Sequence, residues 1–290
     1  MRFCQSLMFA DPSQWVELAR HAEEVGFDQL ALSDHVFHPE QLSSEYPYTP
    51  DGKPMFAPDT PWPDVWVMVG AMASVTSRIE FTTNVYVLPL RNPFVVAKAV
   101  GTAAWLTGDR VSLGIGAGWM REEFEQLEQP FARRGARMDE QVEVLRKLWQ
   151  GGLVEHHGEF YDFDKLQIAP VPGKPVPIIV GGHSDAALRR AATRGDGWVG
   201  VYYTREELRG YTARLDRMRA EAGRLDEPFD VIAAITDALP HPGVIEQLEG
   251  MGVTTLMTSA WMLEGLTNAS LDENKRALDA FAAKYIEPLR

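Results

Sequence analysis

The chain has 290 residues, 45% of them hydrophobic and 24% charged, a composition of folded globular proteins rather than of disordered or fibrous ones. Acidic residues outnumber basic ones 41 to 28, for a formal net charge of -13; a surface of that sign repels nucleic-acid backbones and anionic lipid headgroups, so neither is expected as a partner. No run approaches the ~20 apolar residues of a membrane span, and the opening residues lack the pattern of a secretory signal, which makes a cytoplasmic protein the expectation. The lone Cys4 excludes an intrachain disulfide framework and a multi-cysteine zinc site, and its place in an apolar run predicts a buried, inert thiol.

Short apolar or β-branched runs alternate with longer segments of helical periodicity, the signature of a parallel β/α repeat. Arg2 to Leu7 reads as the first strand and Pro12 to Val25 as the first helix, with Asp11 as N-cap and Pro12 at the first helical position. Gln29 to Leu32 is the second strand. The stretch from Val36 to Pro63 is long and helix-poor, and its Tyr46, Tyr48, Phe56 and Trp62 predict a packed lid over a site. Asp64 to Ser77 follows as a helix, Ile79 to Val87 as strand three, Pro93 to Leu106 as a helix and Arg110 to Ile115 as strand four. After Glu122 and Glu123 comes the helix Ala136 to Gln150, closed by Gly151-Gly152.

His156 to Pro175 is a second insertion, in which His156-His157 reads as solvated loop. Val176 to Val180, Gly197 to Tyr202, Phe229 to Ile235 and Thr254 to Met257 are strands five to eight. Ser184 to Arg194, Thr204 to Gly223, Pro242 to Met251 and Leu271 to Tyr285 are the helices after them. Eight such units in one domain over 1–290 predict an α/β chain folded as a TIM (β/α)8 barrel, which typically needs ~250 residues, with insertions after strand 2 and before strand 5. An open doubly wound sheet also alternates strand and helix. However, the run Gly114-Ile115-Gly116-Ala117-Gly118-Trp119 comes at strand four and puts a tryptophan where a dinucleotide fingerprint needs its third glycine.

Barrel chemistry sits at the C-terminal ends of strands. There, Ser33-Asp34-His35 places a carboxylate beside the one side chain that titrates near neutrality; the alternative is a turn cap beside a satisfied polar histidine. Asn84, a poor strand former among Thr82, Thr83 and Val85, either meets a ligand with paired donor and acceptor edges or marks a bulge or core hydrogen bond. Gly114, Gly116 and Gly118 let backbone approach a flat ligand. Gly181-Gly182-His183-Ser184 opens a helix whose N–H groups suit an anion, with Ser184 as N-cap. Arg133, Arg134 and Arg137, with Arg146 and Lys147 beyond, either attract a negatively charged cofactor tail or pair along the helix with Asp139, Glu140 and Glu143. His35 and His38 have no carboxylate cluster at metal-ligand spacing, so no metal site is expected.

Taken in order, Ser33-Asp34-His35, Thr83-Asn84-Val85, Leu88-Pro89-Leu90-Arg91-Asn92-Pro93 with Lys98, Asp109-Arg110-Val111, Leu113 through Trp119 with Glu123-Phe124, and Gly181-Gly182 through Gly195-Asp196-Gly197-Trp198 resemble the luciferase-like monooxygenase family, and within it the branch that uses the deazaflavin coenzyme F420. The resemblance implies an oxidoreductase that transfers a hydride between coenzyme F420 and a small organic substrate. Its alternative is an FMN-dependent monooxygenase fed with reduced flavin by a separate cofactor-reducing enzyme. It further implies a ring held against a bulge or non-prolyl cis peptide at Asn84-Val85, and a phosphate near Gly181-Gly182. Asp34 and His35 match the family's ring-proximal pair, His35 as acid or base. Asp34, Asn84, Val85, Gly116, Ala117, Gly118, Trp119, Gly181, Gly182 and His183 are the implied cofactor contacts, and a homodimer is implied as the assembly. Sugar-phosphate dehydrogenase members carry a glutamate just after the glycine run; Trp119 in its place points to an apolar or aromatic substrate.

Overall fold

The computed structural model describes residues 1–290. In chain order it contains β1 (Arg2–Ser6), α1 (Trp15–Glu24), β2 (Gln29–Leu32), α2 (Val65–Ala73), β3 (Glu80–Thr83), β4 (Tyr86–Val87), α3 (Pro93–Thr107), β5 (Val111–Gly116), α4 (Arg121–Gln126) and α5 (Arg134–Trp149). The second half holds β6 (Val154–His157), β7 (Asp162–Leu166), β8 (Ile178–Gly181), α6 (Asp185–Arg194), β9 (Gly197–Tyr203), α7 (Arg205–Glu221), β10 (Asp230–Ile235), α8 (Pro242–Glu249), β11 (Thr255–Thr258), α9 (Ala260–Leu263) and α10 (Leu271–Phe281).

Eight parallel strands close a ring in the order β1, β2, β3, β5, β8, β9, β10, β11 and back to β1. This is the eightfold β/α barrel expected from the alternation. Its interior is filled by Cys4, Ala31, Ile179, Val199, Ile232 and Met257, with Val85 packed on top. The larger core, which includes Phe3, Leu18, Leu30, Phe81, Val100 and Leu145, lies between the strands and the surrounding helices. Cys4 is fully buried, and burial pushes its thiol up, out of the reactive range.

Four local expectations are corrected. Strand three does not run unbroken to Val87: β3 stops at Thr83, the Asn84-Val85 peptide is cis, and pairing resumes in β4, where Tyr86 and Val87 lie beside Ile115 and Gly116. Asp64 caps the next helix through the N–H groups of Trp66 and Val67. That helix ends at Ala73 rather than Ser77, because the Ser74 and Thr76 hydroxyls donate back to the carbonyls of Ala71 and Met72.

The second insertion contains an antiparallel hairpin, β6 with β7. In it His156 is buried rather than solvated, held by Glu140 at 3.2 Å and Lys147 at 3.1 Å. The charges of α5 do not pair along the helix. Glu140 accepts the N–H groups of Glu159, Phe160 and Tyr161, Asp139 meets Arg190, Glu143 meets Arg194, and Arg146 reaches Asp196. These contacts tie α5 to the hairpin, to α6 and to the strand that follows it. No helix is long and apolar enough to cross a membrane.

Candidate active site

A cavity of about 330 Å³ opens at the C-terminal ends of the strands, within the size range of small-molecule sites. Its floor is Val85. A β-carbon placed on Gly116 would lie 2.5 Å from Val85 Cγ2, and one on Gly181 would lie 2.6 Å from Cγ1. A β-carbon on Gly114 would fall 1.8 Å from the Thr83 carbonyl oxygen. These glycines are therefore required first by protein packing. They let the Asn84-Val85 segment push into the mouth as a platform, and the expected direct approach to a ligand is secondary. Gly118 has a positive φ of 82° and faces Val87 and Phe124 in the same way.

The platform carries an underused amide. Asn84 makes one side-chain hydrogen bond, from Nδ2 to the Met257 sulfur at 3.5 Å, and its side-chain oxygen accepts none. Asparagine offers two donors and an acceptor, so most of this capacity is open to a ligand, and Asn84 lines the cavity.

Asp34 and His35 have different surroundings. Asp34 is buried, and Arg91 grips it through two bonds, Nη1 to Oδ2 at 2.6 Å and Nη2 to Oδ1 at 2.8 Å, while the Val87 N–H donates to Oδ2 at 3.0 Å. Arg91 also stacks over the Tyr86 ring at 4.4 Å. Burial pushes the Asp34 carboxyl above its ordinary value, against the pull of Arg91 and the Val87 N–H. With both oxygens committed, Asp34 ties the end of β2 to β4. His35 meets only one polar group, Nδ1 lying 3.4 Å from Glu123 Oε1, and its Nε2 has no hydrogen-bond partner in the protein. Phe56, Trp62 and Trp119 surround its ring at centroid distances of 5.0, 5.3 and 5.9 Å.

Residues 36–63 cover the mouth as expected for a lid. Tyr46 lies edge-on to Trp119 and packs on Tyr48 and Phe56, and Tyr48 reaches His183 on the opposite wall. Burial pushes the Tyr46 and Tyr48 phenols up, which keeps them protonated donors. The lid is anchored by Glu122 at the start of α4. Its carboxylate accepts the N–H and hydroxyl of Ser43 and of Ser44, at 2.6 to 3.1 Å. Burial opposes the charge, but these donors prevail and draw the Glu122 carboxyl down to about 2.

On the far wall, Gly181, Gly182 and His183 lead into α6, and Ser184 caps it by accepting the Ala187 N–H. His183 Nδ1 faces the Tyr203 hydroxyl at 3.0 Å. Arg134 lines the same cavity; its polar contacts are the carbonyls of Gly118 and Phe131, with no carboxylate partner. Thus Ser33, Asp34, His35, Asn84, Val85, Gly116, Ala117, Gly118, Trp119, Gly181, Gly182 and His183 converge on one cavity, while Gly114 lies beneath it against Thr83. Sequence reasoning missed the Arg91 partner of Asp34, the Glu123 partner of His35, and Tyr202, which enters the cavity with a positive φ of 64°. Their signals were faint: Arg91 and Glu123 stood in motifs without a visible partner, and nothing marked Tyr202.

The sequence profile of the family described as luciferase-like monooxygenase matches residues 5–239. An uncharacterized protein of Mycobacterium tuberculosis is 41% identical over 288 residues, covering 99% of both chains. An F420-dependent glucose-6-phosphate dehydrogenase of Segniliparus rotundus is 30% identical over 231 residues, covering 76% of this chain and 64% of that protein. Among solved structures, the monooxygenase RslO1 from Streptomyces bottropensis aligns with a TM-score of 0.79 at 18% identity, over 100% of both chains. The coenzyme F420-dependent tetrahydromethanopterin reductase of Methanopyrus kandleri aligns at 0.74 and 16%, over 100% of this chain and 99% of that one.

Proposed function

The chain belongs to the luciferase-like monooxygenase family, and from that premise we propose that it is a coenzyme F420-dependent oxidoreductase acting on a small apolar or aromatic substrate. The observation that carries the reading is the pairing, in one cavity, of a histidine whose Nε2 is free with an open amide, Asn84, above a Val85 platform. The residues fit a flat ring bearing donor and acceptor edges. Asn84 would meet the ring's polar edge and Val85 its face. The start of α6 and the unpaired Arg134 would hold a phosphate or acidic tail, since helix N-termini and guanidinium groups both favour anions.

When bound in reduced form, a deazaflavin supplies a hydride, that is, two electrons with one hydrogen nucleus. The chain's own residues handle the rest. In the imidazolium form His35 delivers the Nε2 proton to the substrate atom left with the electron pair and is left neutral with its hydrogen on Nδ1, so that substrate, hydride and proton balance to the reduced product. Asp34 takes no proton: it fixes the β2 end to β4. Trp119, Tyr46, Phe56 and Trp62 exclude water and hold a planar substrate beside His35. Sugar-phosphate specificity is disfavoured because the position after Gly118 is the indole of Trp119.

A homodimer is part of the same reading. Val67 on α2 and Trp105 on α3 are 69% and 67% exposed, and Leu106, also exposed, sits against Gly70 so that the two helices present one apolar face. Helices apolar around their whole circumference are ordinarily buried on both sides.

Equilibrium titration of the purified protein with F420 and with FMN, each oxidised and reduced, tests the cofactor. Preferred binding of F420, with oxygen-independent reduction of enones, quinones or nitroarenes, is the expected outcome. Preferred binding of reduced FMN with oxygen-dependent turnover would establish the second reading, a flavin monooxygenase, instead.

A further inference from the structure

The reading above leaves one buried acid without a task. Glu123, on the first turn of α4, is 1% exposed, and a carboxylate so placed needs polar partners to offset its lost hydration. It has two, both on the segment that carries His35. Glu123 Oε1 accepts the Val36 N–H at 2.7 Å and faces His35 Nδ1 at 3.4 Å. One oxygen thus holds both the peptide after the histidine and the imidazole itself.

In a neutral imidazole one ring nitrogen carries the hydrogen and the other a lone pair, and the partner of one nitrogen decides which. A lone pair on Nδ1 would be turned toward the carboxylate oxygen, and repelled by it; a hydrogen there is attracted. The other carboxylate nearby cannot compete, since both oxygens of Asp34 are taken by Arg91. The rings of Phe56, Trp62 and Trp119 limit rotation of the imidazole without bonding to either nitrogen.

We propose that Glu123 is a positioning residue that fixes His35 in the Nδ1–H form, with Nε2 presented to the substrate. The same division of labour, a buried carboxylate orienting an imidazole that does the proton transfer, operates in acyl-transfer triads. The role in turnover rests on the reading of His35 as proton carrier. The tautomer does not, because it is a property of the protein alone.

The test is ¹⁵N NMR of histidine-labelled protein without cofactor, under conditions where the ring signals are those of neutral imidazole, with His35 assigned by its loss in His35→Gln. The wild type is expected to show a protonated Nδ1 and an unprotonated Nε2. Glu123→Leu is expected to convert His35 to the Nε2–H form. A wild-type spectrum with the hydrogen on Nε2, or an unchanged spectrum in folded Glu123→Leu, overturns the proposal. The wild-type measurement decides the matter even if the leucine variant does not fold. With an active substrate in hand, Glu123→Leu should lower kcat by about tenfold or more, within the ~10²–10⁴ that positioned proton transfer contributes. The cofactor Kd should stay within about threefold of wild type, the split expected when transition-state chemistry rather than binding is lost. A failed F420 titration would remove the proposed reaction and leave the tautomer result standing; the reverse outcome would remove the positioning role alone.

Discussion

Val85 and Gly116 are packed so closely that no side chain fits between them: a β-carbon on the glycine would lie 2.5 Å from a Val85 methyl. Gly116→Ala must push the platform out of place. It is expected to cost roughly 1–3 kcal/mol, the usual range for overpacking, and to weaken cofactor binding, because Val85 forms the cavity floor. Adding Val85→Ala should recover most of the stability, since residues in contact are energetically coupled. Urea denaturation of the wild type, the two single variants and the double variant measures this; strictly additive losses would refute the contact.

Arg91 and Asp34 give a second prediction. Removing Arg91 strands a buried carboxylate, a change that commonly costs ~3–5 kcal/mol. Arg91 is the largest influence opposing the upward push of burial on Asp34. Without it, the folded chain keeps a proton that the unfolded chain releases near the ordinary carboxylate value of ~3.9. A folded state that binds more protons loses stability as pH rises. The stability deficit of Arg91→Ala relative to wild type should therefore be smallest at about pH 4 and below and grow toward neutrality. Denaturation midpoints across that range check it, and a deficit that stays constant with pH, or shrinks as pH rises, would refute it.

The lid anchor predicts the opposite dependence. Glu122 is held down to about 2 by Ser43 and Ser44. A depressed carboxyl stabilises fully above its unfolded value and loses that contribution as pH falls through its folded one. The lid anchor should therefore hold unchanged through the neutral range and fade only in strong acid. Hydrogen exchange, corrected for intrinsic rates, should show Ser43 and Ser44 amides protected at pH 7 in the wild type. In Glu122→Ala that protection should disappear with little change in global unfolding. Retained protection in the variant would show that the aromatic packing alone holds the lid.

The exposed face of α2 and α3 predicts an assembly. Val67→Glu with Trp105→Glu should shift sedimentation from dimer to monomer while circular dichroism stays that of the wild type. A wild type that sediments as a monomer at micromolar concentration would discard the dimer outright.

The eight β/α units, the two insertions and the strand-end location of the cavity were legible because they rest on local signals: periodicity, N-caps such as Asp11 and Ser184, and glycines after helices. What remained hidden depends on pairs distant in the chain. Glu123 lies 87 positions from Val36, and Arg91 lies 57 from Asp34; neither spacing has a periodic signature. His156 looked solvated because its polarity is visible in sequence and its partners Glu140 and Lys147 are not. The glycine run was seen without its protein neighbours: a missing side chain says that something comes close, not what. At Gly116 it is Val85, from the break between β3 and β4. Residues 79–87 read as one strand because nearly all their other members are β-forming; Asn84, the poor strand former among them, was the signal of the break, and the peptide after it is the cis one.

Glu122 and Glu123 are consecutive, and they grip different things: the first the serines of the lid, the second the loop that carries His35. An engineer wishing to change what this barrel accepts could therefore treat residues 36–63 and α4 as one exchangeable cassette. A foreign lid grafted onto the present α4 would have to bring hydroxyl donors at positions 43 and 44, or it would arrive without its fastening. A new α4 grafted under the present lid would have to keep an acid at 123, or the histidine would lose its support while the lid still closed.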